Sequence, residues 1–87
     1  MFYCTYVLYS LKDHKFYIDH TNDLKSRLKE HERGHVLTTK LRRPFKLVYF
    51  EVCLDKHDAI KRERYFKTGF GRRFLKSRLT NFLKGRK

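Results

Sequence analysis

The segment 2–9, FYCTYVLY, limits the fold more than any other part of the chain. Its β-branched and aromatic residues are typical of a strand, in which successive side chains point to opposite faces of the sheet. One face carries Cys4, Tyr6 and Leu8, and the other carries Tyr3, Thr5, Val7 and Tyr9. Because both faces are largely apolar, both need a cover, which predicts a central strand with protein packed on each side.

Two further strands are predicted. Residues 16–20 (FYIDH) form a second apolar and aromatic run, and a polar break at 11–15 separates it from the first. This spacing predicts an antiparallel hairpin. Residues 45–53 (FKLVYFEVC) form the third and longest predicted strand.

A helix is predicted over about 22–33. Capping residues at 21–23 precede Leu24 and Leu28, which lie at helical spacing, and Gly34 is placed to end the helix. The basic stretch 35–44 that follows is predicted to be a loop or short turn.

Two more helices are predicted after the third strand. Asp55 and Asp58 match an acidic variant of the capping box, and Gly69 and Gly71 are expected to end the helix that this box begins. A last amphipathic helix is predicted from one apolar stripe with three- and four-residue spacing. The stripe consists of Phe70, Phe74, Leu75, Leu79, Phe82 and Leu83.

The element order β-β-α-β-α-α predicts an α+β fold, a small three-stranded antiparallel sheet covered by about three helices. The chain has 87 residues, enough for one hydrophobic core and too few for a second. Residues 1–87 are therefore predicted to form a single domain.

The charge balance indicates a polyanionic partner. Twenty-two Lys and Arg residues against nine Asp and Glu give a formal net charge of +13, and residues 45–87 hold thirteen of the cations and four of the acids. Such an excess attracts nucleic acid. From Ala59 to the end of the chain, Glu63 is the single acid.

Cysteine usage and the first residues predict an intracellular, cytoplasmic protein. Cys4 and Cys53 lack metal-ligand spacing and are expected to be small buried hydrophobes without a disulfide. The uncharged segment 1–11 lacks a basic start and a small-residue cleavage site, and it is about half the roughly 20 residues of a membrane helix. No membrane partner is expected.

An ordered set of short motifs carries a family resemblance over about residues 2–79. The set consists of Tyr6-Val7-Leu8, Phe16-Tyr17-Ile18, Thr21 with Asp23-Leu24, Arg27, His31, Lys46-Leu47-Val48-Tyr49, Ala59-Ile60-Lys61-Arg62-Glu63, Lys67-Thr68-Gly69 and Gly71-Arg72. In this order it resembles the GIY-YIG nuclease superfamily. It is most similar to small single-domain members related to the catalytic module of the bacterial excision-repair nuclease subunit.

The resemblance implies an endonuclease that hydrolyses phosphodiester bonds with one divalent ion, Mg²⁺ or Mn²⁺. Glu63 would hold the metal, and Tyr6, Tyr17, Arg27 and His31 would complete the catalytic set. DNA is favoured over RNA as the substrate, with structured or damaged DNA in repair or recombination as the setting. Neither the preferred DNA structure nor a protein partner that recruits so small a domain is specified.

Each of these residues also has a structural interpretation. Glu63 has the i,i+4 spacing of an ordinary ion pair with Lys67. Arg27 and His31 lie on the same side of one helix, where they either reach one phosphate together or form a solvated face.

The two motif tyrosines leave a similar choice. Either Tyr6 or Tyr17 acts as a base only if nearby positive charge lowers its pKa from about 10. Otherwise their hydroxyls donate hydrogen bonds and their rings pack within the strands.

Asp19 departs from the family pattern, which has glycine at this position. An aspartate there adds a Cβ and a charge, so it either repels substrate phosphate or helps to hold the metal. A non-catalytic nucleic-acid-binding domain on the same fold, altered by Asp19, is therefore the alternative function. A basic ribosome-associated protein of unrelated fold is a third, which would explain the charge and leave the motifs as coincidence.

Ten basic residues without a catalytic role are predicted to contact the nucleic-acid backbone. They are His20, Lys40, Arg42, Arg43, Lys61, Arg62, Arg64, Lys67, Arg72 and Arg73.

Overall fold

Strand β1 (Tyr3–Ser10) lies in the middle of a three-stranded antiparallel sheet in the computed structural model, which describes residues 1–85. Its neighbours are β2 (Phe16–Thr21) on one side and β3 (Phe45–Cys53) on the other. Every residue from Cys4 to Ser10 is buried. The prediction of a central strand covered on both faces is confirmed, and so is the hairpin that joins β1 and β2.

Helices cover the sheet on both faces. Helix α1 (Leu24–Glu32) supplies Leu24 and Leu28 to the face that carries Cys4, Tyr6 and Leu8. The opposite face, built around Val7 and Ile18, packs against Phe66 and Leu75 from two later helices. Each apolar face of β1 thus has its own cluster, as the sequence pattern requires.

The later helices are α3 (Lys56–Phe66) and α4 (Gly69–Arg78). Asp55 accepts a hydrogen bond from the backbone N–H of His57 at 2.7 Å and so caps α3, as expected. Thr68 caps α4 by accepting from Gly71 N–H at 3.1 Å. The two glycines therefore lie in the first turn of α4 rather than in a gap between helices.

Three details of the helix prediction are corrected. A one-turn helix α2 (Leu37–Lys40) lies within the predicted loop, and the final helix is divided at Leu79 into α4 and α5 (Thr80–Lys84). Phe70 does not belong to the buried stripe, because 73% of its surface is exposed at the start of α4. A single turn is too short to show an apolar period, which explains why the pattern did not reveal α2.

Both cysteines are free, which agrees with the absence of a disulfide, but only Cys4 is buried. Cys53 lies half-buried at the end of β3, so the expectation that it is buried is wrong. Over residues 1–85, no helix has the length and apolar character needed to span a bilayer.

Gly71 marks a close contact between α3 and α4. A Cβ at this position would lie 1.9 Å from the carbonyl oxygen of Tyr65 and 2.6 Å from Cα of Phe66. These are backbone atoms, so they cannot rotate away as a side chain can. A Cβ at Gly69, two residues earlier, would meet nothing within 4 Å.

We predict that Gly71→Ala lowers the free energy of unfolding by about 2 kcal/mol or more, because overpacking against fixed backbone forces α4 away from α3. The matched change Gly69→Ala is expected to stay within about 0.5 kcal/mol of the unsubstituted protein. Urea denaturation monitored by circular dichroism measures both. Equal effects of the two substitutions would show that Gly71 is not a contact point.

Candidate active site

The candidate catalytic residues gather at the β2 edge of the sheet. In the antiparallel register, Tyr17 lies opposite Leu8 and Asp19 lies opposite Tyr6, so both share the face that α1 covers. His20 lies opposite Thr5 and projects toward the other face, against which α3 packs. Since β2 is an edge strand, groups from both faces can meet beside it.

A buried chain of hydrogen bonds joins Tyr6, His31 and Thr39. The Tyr6 hydroxyl lies 2.7 Å from Nε2 of His31, and Nδ1 of His31 lies 2.7 Å from Oγ1 of Thr39. The Thr39 hydroxyl donates its single proton to the carbonyl of Val36 at 3.3 Å. Nδ1 therefore carries the His31 proton, and Nε2 accepts from the Tyr6 hydroxyl.

Burial determines the protonation of this chain. Desolvation lowers the pKa of His31, and the charge of Arg27 lowers it further, so the imidazole is neutral. Desolvation raises the pKa of Tyr6 well above its ordinary value, although a hydrogen bond from Arg27 acts in the opposite direction. The condition for Tyr6 to act as a base, a pKa lowered by nearby positive charge, is thus not met in this structure.

Tyr17 is the more accessible of the two motif tyrosines. Its hydroxyl donates to Oδ2 of Asp19 at 3.0 Å and accepts from Thr38 at 3.4 Å, and its ring meets the His31 ring edge-on at 5.3 Å between centroids. Desolvation raises the pKa of Tyr17 as well. Tyr17 is half-buried, whereas Tyr6 has no exposed surface.

Arg27 and His31 project from the same side of α1 and share the Tyr6 hydroxyl as a partner, but their other contacts differ. One terminal nitrogen of Arg27 lies 3.5 Å from Oδ2 of Asp19, and the other donates to Glu30 at 3.3 Å. His31 has an exposed fraction of 2%, and both of its nitrogens are already hydrogen-bonded. The structure therefore supports neither shared phosphate contact by this pair nor the alternative of a solvated helix face for His31.

Glu63 projects from α3 into a cluster of cations and acceptors. Its Oε1 lies 2.5 Å from Nδ1 of His20, and its Oε2 lies 2.7 Å from the Lys67 ammonium. The side chain of Glu63 is 15% exposed. The i,i+4 pair with Lys67 is present, but it engages only one of the two carboxylate oxygens.

Asp19, His20 and Glu63 form a possible metal centre. Each offers one donor atom, and these atoms lie within 4.8 Å of one another. Burial, the largest single effect, would raise the pKa of Asp19, but hydrogen bonds from His20 N–H and the Tyr17 hydroxyl outweigh it and hold the pKa below its ordinary value. Two carboxylates and an imidazole suit a divalent ion, so the donor set fits the expected metal.

A cleft of about 400 Å³ opens beside this cluster. Asp19 and Tyr17 line it together with two cations, Lys67 and Arg72. The remaining lining residues are Phe16, Ile18 and Thr38. A cleft with two cations at its wall and the Asp19 carboxylate at its edge can accept a phosphate group.

Two of the residues predicted to contact the nucleic-acid backbone form ion pairs within the chain. Arg42 donates to Asp13 at 2.6 Å and to the carbonyls of Lys15 and Phe16, so it joins the loop before β3 to the β1–β2 hairpin. Arg62 pairs with Glu51 on β3 at 2.5 Å. These guanidinium groups hold the fold together, because carboxylates of this chain occupy donors that a phosphate would need.

The other cations predicted to contact the nucleic-acid backbone differ in how many contacts they make within the chain. Arg43 is exposed but donates to the carbonyls of Lys40 and Glu32. His20 belongs to the Glu63 cluster rather than to an independent backbone contact. The exposed remainder comprises Lys40, Lys61, Arg64, Arg72 and Arg73, together with Lys67, whose ammonium also lies 2.7 Å from Glu63.

Sequence reasoning missed Thr38 and Thr39. Thr39 is fully buried and orients His31, and Thr38 donates to Tyr17. No motif marks these two threonines, because their positions depend on the single turn of α2.

We predict that nitrogen-detected NMR finds His31 in the Nδ1–H form at neutral pH, with a titration midpoint below about 6.5. Folding then favours the neutral ring, so stability falls as the pH decreases from about 6.5 toward the folded pKa. Thr39→Val removes the acceptor and is expected to weaken the preference for this tautomer. Thr38→Val is the control and should leave it unchanged; a protonated ring at pH 7 would contradict the assignment.

Comparison with known proteins places this geometry in a family. The family model described as the GIY-YIG catalytic domain matches residues 2–82. A UPF0213 protein of Limosilactobacillus reuteri is 44% identical over 68 residues, which cover 75% of this chain and 70% of that protein. UPF0213 protein YazA of Bacillus subtilis is 42% identical over 57 residues, 64% of this chain and 58% of that protein.

Structural similarity agrees with these matches. The solution NMR structure of UPF0213 protein BH0048 from Bacillus halodurans superimposes with a TM-score of 0.55 and 30% identity, covering 88% of this chain and 84% of that one. The cleft, the Tyr6–His31 pair and Glu63 all fall inside the matched residues 2–82. The chain therefore belongs to the GIY-YIG catalytic-domain family, which is part of a nuclease superfamily.

Proposed function

We propose that this protein is a divalent-metal-dependent endonuclease that hydrolyses phosphodiester bonds in DNA, with structured or damaged DNA as its substrate class. One observation carries the proposal. The cleft that Tyr17, Lys67 and Arg72 line is shared with Asp19, whose carboxylate lies within 4.8 Å of donor atoms of His20 and Glu63. Phosphate-binding cations and metal ligands therefore border the same space.

Each residue has a distinct role in the proposed reaction. Lys67 and Arg72 hold the substrate phosphate in the cleft by charge-assisted contacts. Glu63 would hold a divalent ion, and such an ion would supply Lewis-acid stabilisation for the extra charge on the phosphate. Arg27 orients Asp19 through the contact at 3.5 Å.

Tyr17 is the tyrosine placed to contact the attacking water. Tyr17 lines the cleft, and its hydroxyl donates a hydrogen bond to Asp19 at 3.0 Å. Tyr6 has no exposed surface and instead donates to Nε2 of His31. Tyr6 and His31 thereby support the Tyr17 ring, which packs edge-on against the imidazole.

A second function is favoured by one feature of the same cleft. The Asp19 carboxylate adds negative charge where a phosphate would enter, and Arg27 is directed toward it rather than into the cleft. Without a bound metal, this arrangement fits a non-catalytic nucleic-acid-binding domain. The two functions agree on binding and differ in cleavage.

We predict metal-dependent cleavage of end-labelled DNA that falls at least about 100-fold in Glu63→Gln and in Tyr17→Phe. Single-stranded, duplex, flap and branched substrates should be compared in Mg²⁺, Mn²⁺ and EDTA. Glu32→Gln and Tyr65→Phe, at exposed positions outside the cleft, are matched controls and should retain activity.

DNA binding in EDTA should be retained or strengthened in Glu63→Gln, since this variant removes a carboxylate that pairs with Lys67 and removes no phosphate contact. Binding without cleavage on every substrate and metal would establish the non-catalytic function instead. A preference for RNA together with indifference to Glu63 would support a ribosome-associated role.

Salt dependence tests the cleft as the binding surface. In EDTA, Lys67→Gln is expected to weaken DNA binding and to reduce the slope of log K against log salt by about 0.9, the contribution of one phosphate contact. Lys56→Gln, at the opposite end of α3 and about 16 Å away along the helix, is the matched control. Equal slopes for both variants would place the DNA elsewhere.

A further inference from the structure

The donor cluster at the β2 edge defines the metal site of the proposed nuclease more narrowly, and the inference drawn from it rests on that function. We infer that Asp19 and His20 bind the divalent ion together with Glu63, and that the imidazole makes the site select Mn²⁺ over Mg²⁺. The family resemblance assigns only Glu63 to the metal, and it has glycine where Asp19 stands.

The sheet edge brings Asp19, His20 and Glu63 to one point. Asp19 and His20 are adjacent on β2 and start toward opposite faces of the sheet. At an edge strand their ends can turn toward each other, and Oδ1 of Asp19 accepts the backbone N–H of His20 at 2.8 Å and lies 3.6 Å from Nδ1. Glu63 approaches the same point from α3, with Oε1 2.5 Å from that nitrogen.

The separations between the three donor atoms suit a single ion. Ligands of one octahedral ion with bonds of about 2.1 Å are separated by about 3 Å when adjacent and about 4.2 Å when opposite. The three donor atoms lie within 4.8 Å of one another. The separations from Nδ1 of His20, 3.6 Å to Asp19 and 2.5 Å to Glu63, are close to the value for adjacent ligands.

Neighbouring side chains orient the Asp19 carboxylate. Its Oδ2 receives the Tyr17 hydroxyl at 3.0 Å and lies 3.5 Å from an Arg27 nitrogen. These contacts engage one oxygen and direct the other toward His20. Partners of this kind around a ligand fix its orientation and raise metal affinity.

The donor set determines the choice of ion. Mg²⁺ prefers oxygen ligands and retains several waters, whereas imidazole is a ligand of transition metals. Two carboxylates and one imidazole therefore favour Mn²⁺ over Mg²⁺, and His20 is the residue that makes the difference. Asp19, in place of the family's glycine, then adds a metal ligand and does not disable the site.

The test measures metal binding in the absence of nucleic acid. The electron paramagnetic resonance signal of free aqueous Mn²⁺ gives the bound fraction, with Mg²⁺ added as competitor. The full chain should bind one Mn²⁺, and His20→Ala should weaken Mn²⁺ binding at least about 10-fold while changing Mg²⁺ competition less. Asp19→Asn and Asp19→Gly should weaken binding of both ions.

Matched controls come from the start of α3. His57 lies 3.3 Å from the Asp55 carboxylate, but both side chains are largely exposed, so His57→Ala should bind Mn²⁺ like the unsubstituted chain. Thermal denaturation of each variant checks that the fold is retained. Unchanged Mn²⁺ affinity in folded His20→Ala and Asp19→Asn, with loss only in Glu63→Gln, would overturn the inference, as would absence of Mn²⁺ binding by the full chain.

Failure here is distinguishable from failure of the nuclease proposal. If Asp19 and His20 variants bind Mn²⁺ normally and DNA cleavage still requires Glu63 and metal, the nuclease remains and the three-ligand site is wrong. If the full chain binds Mn²⁺ through all three residues and cuts no DNA, the site is correct and the nuclease proposal fails.

Discussion

The burial of β1 on both faces is the constraint on which the rest of the structure depends. Because Cys4 to Ser10 are covered above and below, β1 has to be central, and β2 becomes an edge strand. An edge is the one place where Asp19, facing α1, and His20, facing α3, can meet. Central burial of one strand thus creates an open rim where polar groups from both faces can gather.

Four of the nine acids show two different uses of a carboxylate in this cationic chain. Asp13 binds the guanidinium group of Arg42 and so connects the β1–β2 hairpin to the loop before β3. Glu51 on β3 binds the guanidinium group of Arg62 on α3. The guanidinium of Arg42 holds the pKa of Asp13 down at about 2, so this pair persists at neutral pH. Asp19 and Glu63 instead offer oxygens to one possible metal centre, and Asp19 also lines the cleft. The place of a carboxylate in the fold decides whether it joins two elements or is a candidate metal ligand.

The strands and the main helices were predictable because each repeats a pattern over several residues. Alternation identified β1, and capping residues located the starts of α1 and α3. The site was less predictable, since the role of Thr39 depends on one turn of helix and that of His20 on an approach from a residue 43 positions away. The departure at Asp19 was visible in the sequence, but its distance to Glu63 was not. Spacing along a chain gives no distance across a sheet edge.

The two motif tyrosines show why burial has to be known before a chemical role is assigned. Both were equal candidates for a base as long as only charge was considered. Tyr6 has no exposed surface and a hydroxyl directed at His31, so a water molecule cannot reach it without breaking the buried chain. Tyr17 keeps its hydroxyl in the cleft, between Asp19 and Thr38. The same residue type is therefore accessible at one position and buried at the other, and the difference arises from the register that puts Tyr17 on the edge strand.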